Sequence, residues 1–444
     1  MLRVSRPLCI GLLFFAIIAT ASPVCAQIRP SSHDSTVQVL TLEQSVSWAL
    51  QHNPELAVFR QQRGIASAGV VIAKTYPFNP VWGSAVLGVS PSPGDNTVTN
   101  RVFNQHTLTQ EVEVRGQGGI RGNAAAAALS RVEWEIAMRE QQTAIRAIRA
   151  FQGFLYQQQK LQLLDETIRL QGDVSEMAER LMDQGKLKAA DLMLTRADEV
   201  DSRSQRGSRQ TQVVAAWHEV RKVMGVQNEV VEVKGKLTPT VPSGSVEHWM
   251  QFANQQRPDL QAIQMAYVEA EQRERLEVAN RFGNPTIGLK TEYNESRTYF
   301  LGPTVQFPVP IFNRNRGQIL QRQAEKTAVL LDKRRVEIQI QQDVLAATDR
   351  LKEANKWVAS FDTDILPILQ KSMDAFDKLF AQGEPSVDVL RLIEIRRRYL
   401  RARDGYLDAL WELSQARADL AAAVGDFSLA FEEVVPMARF GTPE

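Results

Sequence analysis

The residue types that most often carry chemistry are sparse in this sequence. Five histidines are scattered along it, and none has a Cys, Asp or Glu at the spacing of a zinc or transition-metal site; they are His33, His52, His106, His218 and His248. An isolated histidine on an amphipathic helix is more often a surface or packing residue than a ligand. The sequence therefore predicts no metal site.

Two other patterns are weak signs of chemistry. The GQGG motif that begins at Gly116 is similar to a phosphate-binding loop, but it lacks the Gly-Lys-Ser/Thr that should follow. Pairs of acidic residues are common, but on charged helices their usual role is to pair with bases one turn away. Because no catalytic constellation is present, we expect neither an enzyme nor a cofactor.

The first 26 residues have the pattern of a secretory signal peptide. Arg3 and Arg6 precede an apolar run from Leu8 to Ala19, and mostly small residues follow up to Ala26. The run is too short to cross a bilayer as a helix. We expect cleavage before Gln27.

Both cysteines of the chain lie inside this segment. Cleavage removes Cys9 and Cys25 and leaves a mature chain without a thiol or a disulfide. The alternative is that Cys25 becomes a lipidated first residue. Val24, just before it, is bulkier than the small residue that a lipidation signal requires there.

The mature chain is close to electrically neutral. Removal of Arg3 and Arg6 from the 52 basic residues leaves 50, against 51 acidic residues. Without a polybasic segment we expect no nucleic-acid partner. The mature chain also lacks a run of about 18 apolar residues, which excludes a transmembrane helix but not a β-barrel, whose strands carry a weak hydropathy signal.

The stretch QFPVPIFNRNRGQ, residues 306–318, marks a change in periodicity. Before it, apolar and polar residues alternate as in a strand, and after it apolar residues recur with helical spacing. Pro308 and Pro310 lack backbone N–H groups and must end or bend the strand, and Gly317 leads into the helix. This stretch is predicted to be a bend between a strand and a long helix.

A similar passage, QEVEVRGQGGIRGN, occurs about 200 residues earlier, at residues 110–123. We expect Gly116, Gly118 and Gly119 to supply the bend here, because glycine adopts backbone conformations that other residues avoid. A strand that runs into a long helix is therefore predicted twice.

The first half of the chain is predicted to contain a β-hairpin, at about residues 81–114, and a helical hairpin, at about 123–224. We expect one face of the β-hairpin to be polar and one to be apolar, the apolar face being formed by Val81, Ala85, Leu87, Val89 and Leu108. The first long helix would be roughly 90 Å long at 1.5 Å per residue. A compact globule cannot contain such a helix.

The second half repeats this plan. NPEL at 53–56 matches RPDL at 257–260, and LMDQGKLKAADL at 181–192 matches LFAQGEPSVDVL at 379–390, both at offsets of about 200 residues. Ordered matches of this kind indicate internal duplication. We divide the chain into a signal peptide (1–26), a first repeat (27–228), a linker (229–246), a second repeat (247–428, with a β-hairpin at about 285–309 and a helical hairpin at about 317–425) and a C-terminal tail (429–444).

Two hairpins give four strands per chain, which cannot close into a barrel. Inside a bilayer an open edge leaves backbone groups unpaired at a cost of several kcal/mol each, so the strands of several copies must be pooled. Three copies give twelve strands, enough to enclose a lumen. The predicted fold is mainly α with β: a long α-helical barrel plus a 12-stranded β-barrel shared by a trimer.

The mature sequence resembles the TolC family of outer-membrane efflux proteins over nearly its whole length. The resemblance rests on the two Pro-Glu/Asp-Leu boxes and on the β-hairpin and helix-turn-helix of each repeat. Within it, VPIFNRNRG at 309–317 is most similar to the CzcC-like subgroup, which serves cation efflux. The resemblance implies a homotrimeric, passive exit duct in outer-membrane lipid, with its helical barrel in the periplasm and with a periplasmic adaptor and an inner-membrane pump as partners.

The resemblance also implies that the turns of the helical hairpins dock the adaptor. The matching residues are Gln184, Gly185, Lys186 and Asp191 in the first repeat and Gln382, Gly383, Glu384, Ser386 and Asp388 in the second. Their local structural role is a hairpin turn, in which Gly adopts a positive φ and Asp or Ser caps the next helix.

Asp388 and Arg391 are also candidates for an entrance gate. Some family members carry two acids one turn apart after the second turn. Asp388 matches the first of these, but Arg391 stands in place of the second. The two side chains are spaced to form an i,i+3 ion pair instead.

A periplasmic adaptor or scaffold protein is the alternative function, because such proteins also present long helical hairpins. An adaptor normally has one hairpin flanked by small β-domains. This sequence has two hairpins, each joined to amphipathic strands, which favours the duct.

Overall fold

The fold consists of two successive sets of similar elements. The computed structural model describes residues 38–89, 101–185, 187–227, 231–238, 240–294, 297–381 and 389–431, so the predicted signal peptide lies outside the described residues. The first set is β1 (Gln38–Leu40), α1 (Leu42–His52), α2 (Pro54–Arg60), α3 (Gln62–Lys74), β2 (Val81–Val89), β3 (Arg101–Glu111), α4 (Gln117–Asp183) and α5 (Ala189–Met224). The second set is β4 (Val231–Val233), α6 (Val246–Gln256), α7 (Pro258–Ala279), β5 (Thr286–Tyr293), β6 (Tyr299–Gln306), α8 (Arg316–Ser360), a π-helical turn (Phe361–Ile365), α9 (Leu366–Ala381), α10 (Val389–Val424) and a 3₁₀ turn (Phe427–Ala430).

A four-stranded antiparallel sheet joins the two halves. Its order is β2-β3-β5-β6, so that each hairpin contributes two strands and β3 pairs with β5 across the halves. β2 and β6 are its edges, and neither pairs with another strand of the described chain. The sheet is therefore open at both sides.

The register corrects the predicted faces of the first hairpin. Val81 lies opposite Thr109, and Trp82 lies opposite Leu108. Since facing residues point to the same side of a sheet, Val81, Ala85 and Leu87 share the polar face with the threonines. Trp82 and Val86 share the apolar face with Leu108, and the prediction that placed Val81 there was wrong.

The long helices dominate the rest of the molecule. α4 has 67 residues, which corresponds to about 100 Å at the rise of an α-helix. No helix among the described residues is long and apolar enough to cross a membrane.

A small layer made of α1, α6, β1 and β4 covers one face of α4, α8 and α10. The core lies beneath it and includes the predicted stripe of Ile145, Ile148, Phe151 and Leu155, together with residues of the second half such as Val344, Leu413 and Leu420. The segment predicted as a linker takes part, because β4 pairs in parallel with β1 and Leu237 is buried.

The two Pro-Glu/Asp-Leu boxes hold the ends of the returning helices. The Asn53 side-chain amide donates to the carbonyl of Val223, near the end of α5, at 2.8 Å. In the second repeat the Arg257 guanidinium donates to the carbonyl of Ala423, near the end of α10, at 3.1 Å. Terminal carbonyls of a helix lack intrahelical partners, so each box satisfies one of them.

The residue that follows each of these helices is a glycine with a positive φ. Gly225 has φ 71° and Gly425 has φ 92°. A Cβ at Gly225 would lie 2.5 Å from the carbonyl oxygen of His52, next to the first box. The turn therefore needs glycine for both its backbone angle and its space.

We predict different effects on stability for two glycine-to-alanine changes. Gly225→Ala should destabilise the fold by about 1–3 kcal/mol, because it strains a left-handed residue and crowds His52. Gly207→Ala, inside α5 and with open space around it, should be neutral or stabilise by up to about 1 kcal/mol. Thermal unfolding followed by circular dichroism compares them, and equal midpoints would contradict the assigned role of Gly225.

Candidate functional site

The first strand-to-helix bend turns at Gly116. This residue has φ 67° and is the N-cap of α4, whereas Gly118 and Gly119 already lie in the first turn of the helix. The buried side chain of Gln117 donates to Asn284 Oδ1 at 2.6 Å. Asn284 in turn donates to Glu111 Oε1 at 3.0 Å, so this polar chain fixes β3 against the start of α4.

The second bend turns at Asn315, which the sequence analysis missed. Asn315 has φ 56° and is the N-cap of α8, whereas Gly317 is already helical. Its side-chain amide donates to the carbonyl of Glu277 at 2.9 Å. Asn is the residue after Gly that best tolerates a left-handed conformation, and the match of Asn315 to Gly116 in the duplication is the signal that could have found it.

Pro308 and Pro310 follow the last residue of β6, as expected for residues that cannot continue a ladder. The Pro308 ring lies over Gly283, where a Cβ would be 2.4 Å from a ring carbon. The proline thus packs on the segment that leads into β5.

The turn between α4 and α5 is described for the first repeat. Gly185 has φ 69°, and its amide donates to the carbonyl of Met182 at 2.8 Å. Gln184 is the C-cap of α4. Asp191 lies in the first turn of α5 rather than at its N-cap, which is Lys188, so the predicted capping by Asp191 is wrong although a carboxylate there still favours the helix dipole.

The other predicted turn residues lie outside the described residues. They are Lys186 in the first turn and Gln382, Gly383, Glu384, Ser386 and Asp388 in the second. Of the two gate candidates, only Arg391 is described, and it is exposed in the first turn of α10.

The face of the long helices opposite the small layer is charged. Asp419 of α10 accepts hydrogen bonds from Arg149 of α4 and Arg350 of α8, and Arg350 also donates to Glu412 at 2.7 Å. A cavity of about 800 Å³ lies on this face and is lined mainly by arginines, aspartates and small apolar residues of both repeats. The Arg149–Asp419–Arg350 bridge therefore ties the repeats together at this level.

A buried lysine lies further along the same helices. Lys160 of α4 is only 2% exposed, and its ammonium group lies 2.6 Å from Asp404 and 2.7 Å from Asp408 of α10. The Tyr156 hydroxyl donates to Asp408 at 2.6 Å. Burial and this hydrogen bond raise the pKa of Tyr156. The lysine thus holds α4 and α10 in one register.

The π-helical turn lies beside this cluster. Phe361, at its start, packs against Gly405 of α10, where a Cβ would be 3.1 Å from the phenyl ring. Asp362 accepts a hydrogen bond from Tyr406, and burial together with that bond raises the pKa of Tyr406 to about 12. The equivalent helix of the first repeat, α4, is continuous.

The described part of the chain shows no group of three or more His, Cys, Asp or Glu side chains placed to hold a metal ion. His52 stacks on Trp48, His106 on Trp82, and the His248 ring meets the Trp249 ring edge-on. These histidines are packing residues.

Comparison with known proteins identifies the fold. No protein-family model matches the sequence, and no curated protein matches it. The solved structure of CusC matches with a TM-score of 0.70 at 16% identity, covering 87% of this chain and 92% of that chain. The outer-membrane channel OprN gives 0.69 at 16% identity, covering 86% and 89%. The outer membrane protein VceC from Vibrio cholerae gives 0.68 at 13% identity, covering 87% and 96%.

At identities of 13–16%, the comparisons establish the fold alone. The chain has the TolC-like channel fold, with a long helical part and a β domain, and the predicted fold class is confirmed.

Removal of the Lys160 ammonium should destabilise the protein. Lys160→Met leaves Asp404 and Asp408 close together without their cation, and because both acids are partly exposed we expect a loss of about 1–3 kcal/mol rather than more. The triple variant Lys160→Met, Asp404→Asn, Asp408→Asn should recover most of the lost free energy of unfolding. Chemical unfolding measures both, and a triple variant no more stable than the single one would contradict the account.

Alkaline pH should weaken the contact between the π-helical turn and α10. The folded-state pKa of Tyr406, about 12, lies above its ordinary value of 10.0, so the stabilisation is complete below pH 10 and is lost as the pH rises through 12. Tyr406→Phe should therefore lose less stability than the parent protein between these pH values. Parallel losses in the two proteins would show that the hydroxyl contributes nothing.

Proposed function

We propose that the protein is the outer-membrane exit duct of a tripartite efflux system. It would act as a homotrimer, conduct substrate passively to the exterior, and receive it from an inner-membrane pump through a periplasmic adaptor. The observation that carries this proposal is an open four-stranded sheet attached to helices far longer than a globule can hold. The TolC-like fold supports it.

The sheet edges require neighbours. β2 and β6 each leave one row of backbone N–H and C=O groups without a strand partner in the described chain. Within hydrocarbon such a row is costly, and pairing β6 of one copy with β2 of the next removes it. Three copies then supply twelve strands and close the barrel.

The two faces of the sheet fit lipid on one side and water on the other. The apolar face exposes Trp82, Val86, Leu289, Leu301 and Val305. It is interrupted by a polar row, in which Ser84, His106 and Thr291 lie side by side, and by Asn104 opposite Val86. The opposite face carries Thr107, Thr109, Lys290 and Thr304, together with the exposed apolar side chains of Val81, Leu87 and Phe300. We assign the first face to lipid and the second to the lumen.

The row of helices next to the sheet also has two uncovered lateral sides. Its helices pack in the order α3-α4-α7-α8. At one side α3 exposes Ile65 and Ile72, and at the other α8 exposes Leu320 and Leu331. Different surfaces that meet head to tail generate a ring when the rotation between copies closes, and a closed ring is the arrangement that a duct requires.

The adaptor would dock at the hairpin turns, with Gly185 at the described one. The alternative function, a periplasmic adaptor or scaffold, is disfavoured by the open amphipathic sheet.

The CzcC-like resemblance implies metal cations as cargo. The cargo can be identified by testing the tolerance of a deletion strain to zinc, cobalt, copper and organic toxicants. We expect the strain to lose tolerance to the cargo and the cloned gene to restore it. Unchanged tolerance to every toxicant would contradict an efflux role.

A pair of substitutions at Gly185 tests docking. Gly185→Trp adds bulk at the turn and should abolish efflux while trimers still form. Gly185→Asn is the matched control, because Asn tolerates a positive φ and adds little bulk, and it should keep efflux. A Gly185→Trp strain with full tolerance would show that the adaptor docks elsewhere.

A further inference from the structure

The segment that connects β6 to α8, residues 307–316, exposes a run of large apolar side chains; we call it the junction loop. Phe307, Val309 and Ile311 are exposed, and Phe312 is 98% exposed. An exposed apolar patch of this kind marks a surface that meets another protein or a membrane. The junction loop therefore points to a partner outside its own chain.

The loop continues the face of the sheet that we assign to lipid. Along β6 this face carries the exposed side chains of Tyr299, Leu301 and Val305. Side chains alternate along an extended chain, and Pro308 favours an extended Phe307, so Phe307 extends the same face. The distance from Tyr299 to Phe307 is about 26 Å along the strand. The two aromatic side chains thus stand near the two boundaries of an apolar band.

Two exposed arginines follow the apolar run. Among the described residues, the Arg314 side chain donates to the carbonyl of Pro310 at 3.3 Å, and the Arg316 side chain has no ion-pair partner. Helix stability does not explain these arginines, because they flank Asn315, the N-cap of α8, where a cation opposes the helix dipole. Their guanidinium groups remain available to an anion.

The other segments at this end of the sheet do not neutralise the arginines. They are residues 74–80, 111–121 and 277–284, and the strand register brings them to the same level as the junction loop. Together with the loop they contain six bases, which are Lys74, Arg115, Arg121, Arg281, Arg314 and Arg316. They contain three acids, and each is bonded within the chain: Glu111 to Asn284, Glu113 to Arg121 and Glu277 to Asn315. The net charge at this level is therefore positive.

A neighbouring copy of the chain is the other surface that could cover the loop. In the proposed ring, α8 meets α3 of the next copy, and residues 62–81 contain Arg63 and Lys74 but no acid. Such a surface offers the two arginines no anion. A phospholipid leaflet offers acyl chains to the apolar run and phosphate oxygens to the guanidinium groups, which bind phosphate with two parallel hydrogen bonds.

We propose that the junction loop is an interfacial membrane anchor. Its apolar side chains enter the leaflet that faces the periplasm, and Arg314 and Arg316 bind the phosphate groups of anionic phospholipids. Apolar and aromatic residues at a membrane boundary with arginines on its aqueous side are the arrangement that such an interface favours. This inference rests on the proposed duct function, because the duct places this end of the sheet at the membrane surface.

Lipid retention by the purified protein in detergent tests the two arginines. Phosphatidylglycerol or phosphatidylcholine is added, and native mass spectrometry counts the lipid molecules that stay bound. The parent protein should retain phosphatidylglycerol in preference. The double variant Arg314→Gln, Arg316→Gln should lower this retention by about five-fold or more, since one arginine near an anionic surface raises affinity by roughly five-fold.

The double variant Arg169→Gln, Arg401→Gln is the matched control. It also removes two exposed arginines, but from the long helices. Arg169 lies about 80 Å along α4 from Gly116, and Arg401 lies one turn from Asp404, the partner of Lys160. The control should retain phosphatidylglycerol as the parent does. Equal retention in the two folded double variants would overturn the assignment to Arg314 and Arg316.

A nitroxide label at position 312 separates lipid from a neighbouring copy as the partner of the loop. The variant Phe312→Cys is labelled and reconstituted into vesicles of phosphatidylethanolamine and phosphatidylglycerol. The substitution spares the packing of the chain because Phe312 is almost fully exposed. In a leaflet the label should collide with oxygen but not with a water-soluble nickel chelate.

The other outcomes of this measurement each contradict one proposal. A label shielded from both reagents would place the loop against a neighbouring copy, and a label open to the chelate would place it in water. Either result overturns the membrane anchor, even if the arginine variant fails to fold. A protein that does not insert into the vesicles at all would overturn the duct function itself.

Discussion

The unpaired edges of the β2-β3-β5-β6 sheet are the constraint on which the rest of the molecule depends. Backbone N–H and C=O groups must be satisfied wherever water is absent, and a sheet of four strands cannot satisfy its own edges by closing. The solution available to this chain is repetition at two levels. Duplication within the chain gives two hairpins in one sheet, and a ring of copies would give a closed wall.

The duplication is preserved in geometry more than in residue type. Gly116 and Asn315 fill the same left-handed position before a long helix. Asn53 and Arg257 both bind the carbonyl that ends a returning helix, one with an amide and the other with a guanidinium. The contact in the second repeat is charged, and Arg257 also pairs with Asp343 of α8.

Much of the architecture could be predicted from the sequence because periodicity is a local property. The stripe of Ile148, Phe151 and Leu155 is buried as its spacing predicts, and both strand-to-helix bends occur where proline and glycine interrupt the pattern. The two Pro-Glu/Asp-Leu boxes repeat in the sequence, and they hold matching places in the two halves of the structure.

What the sequence could not supply depends on pairing between distant segments. The face of β2 was assigned wrongly because Val81, Ala85 and Leu87 alternate well on their own, and only the register with β3 shows that Trp82 and Val86 belong with Leu108. The Lys160 cluster joins residues about 250 positions apart, and no local pattern marks it. The π-helical turn and β4 are likewise set by packing, since neither segment is distinctive alone.

The central claim is that these chains assemble into a membrane-embedded ring of three. The most direct test is the mass of the native complex, measured after mild detergent extraction of outer membranes and again after heating. The account predicts a species of three chains in the membrane fraction that falls to one chain on heating. A single chain recovered from the soluble periplasmic fraction would contradict it.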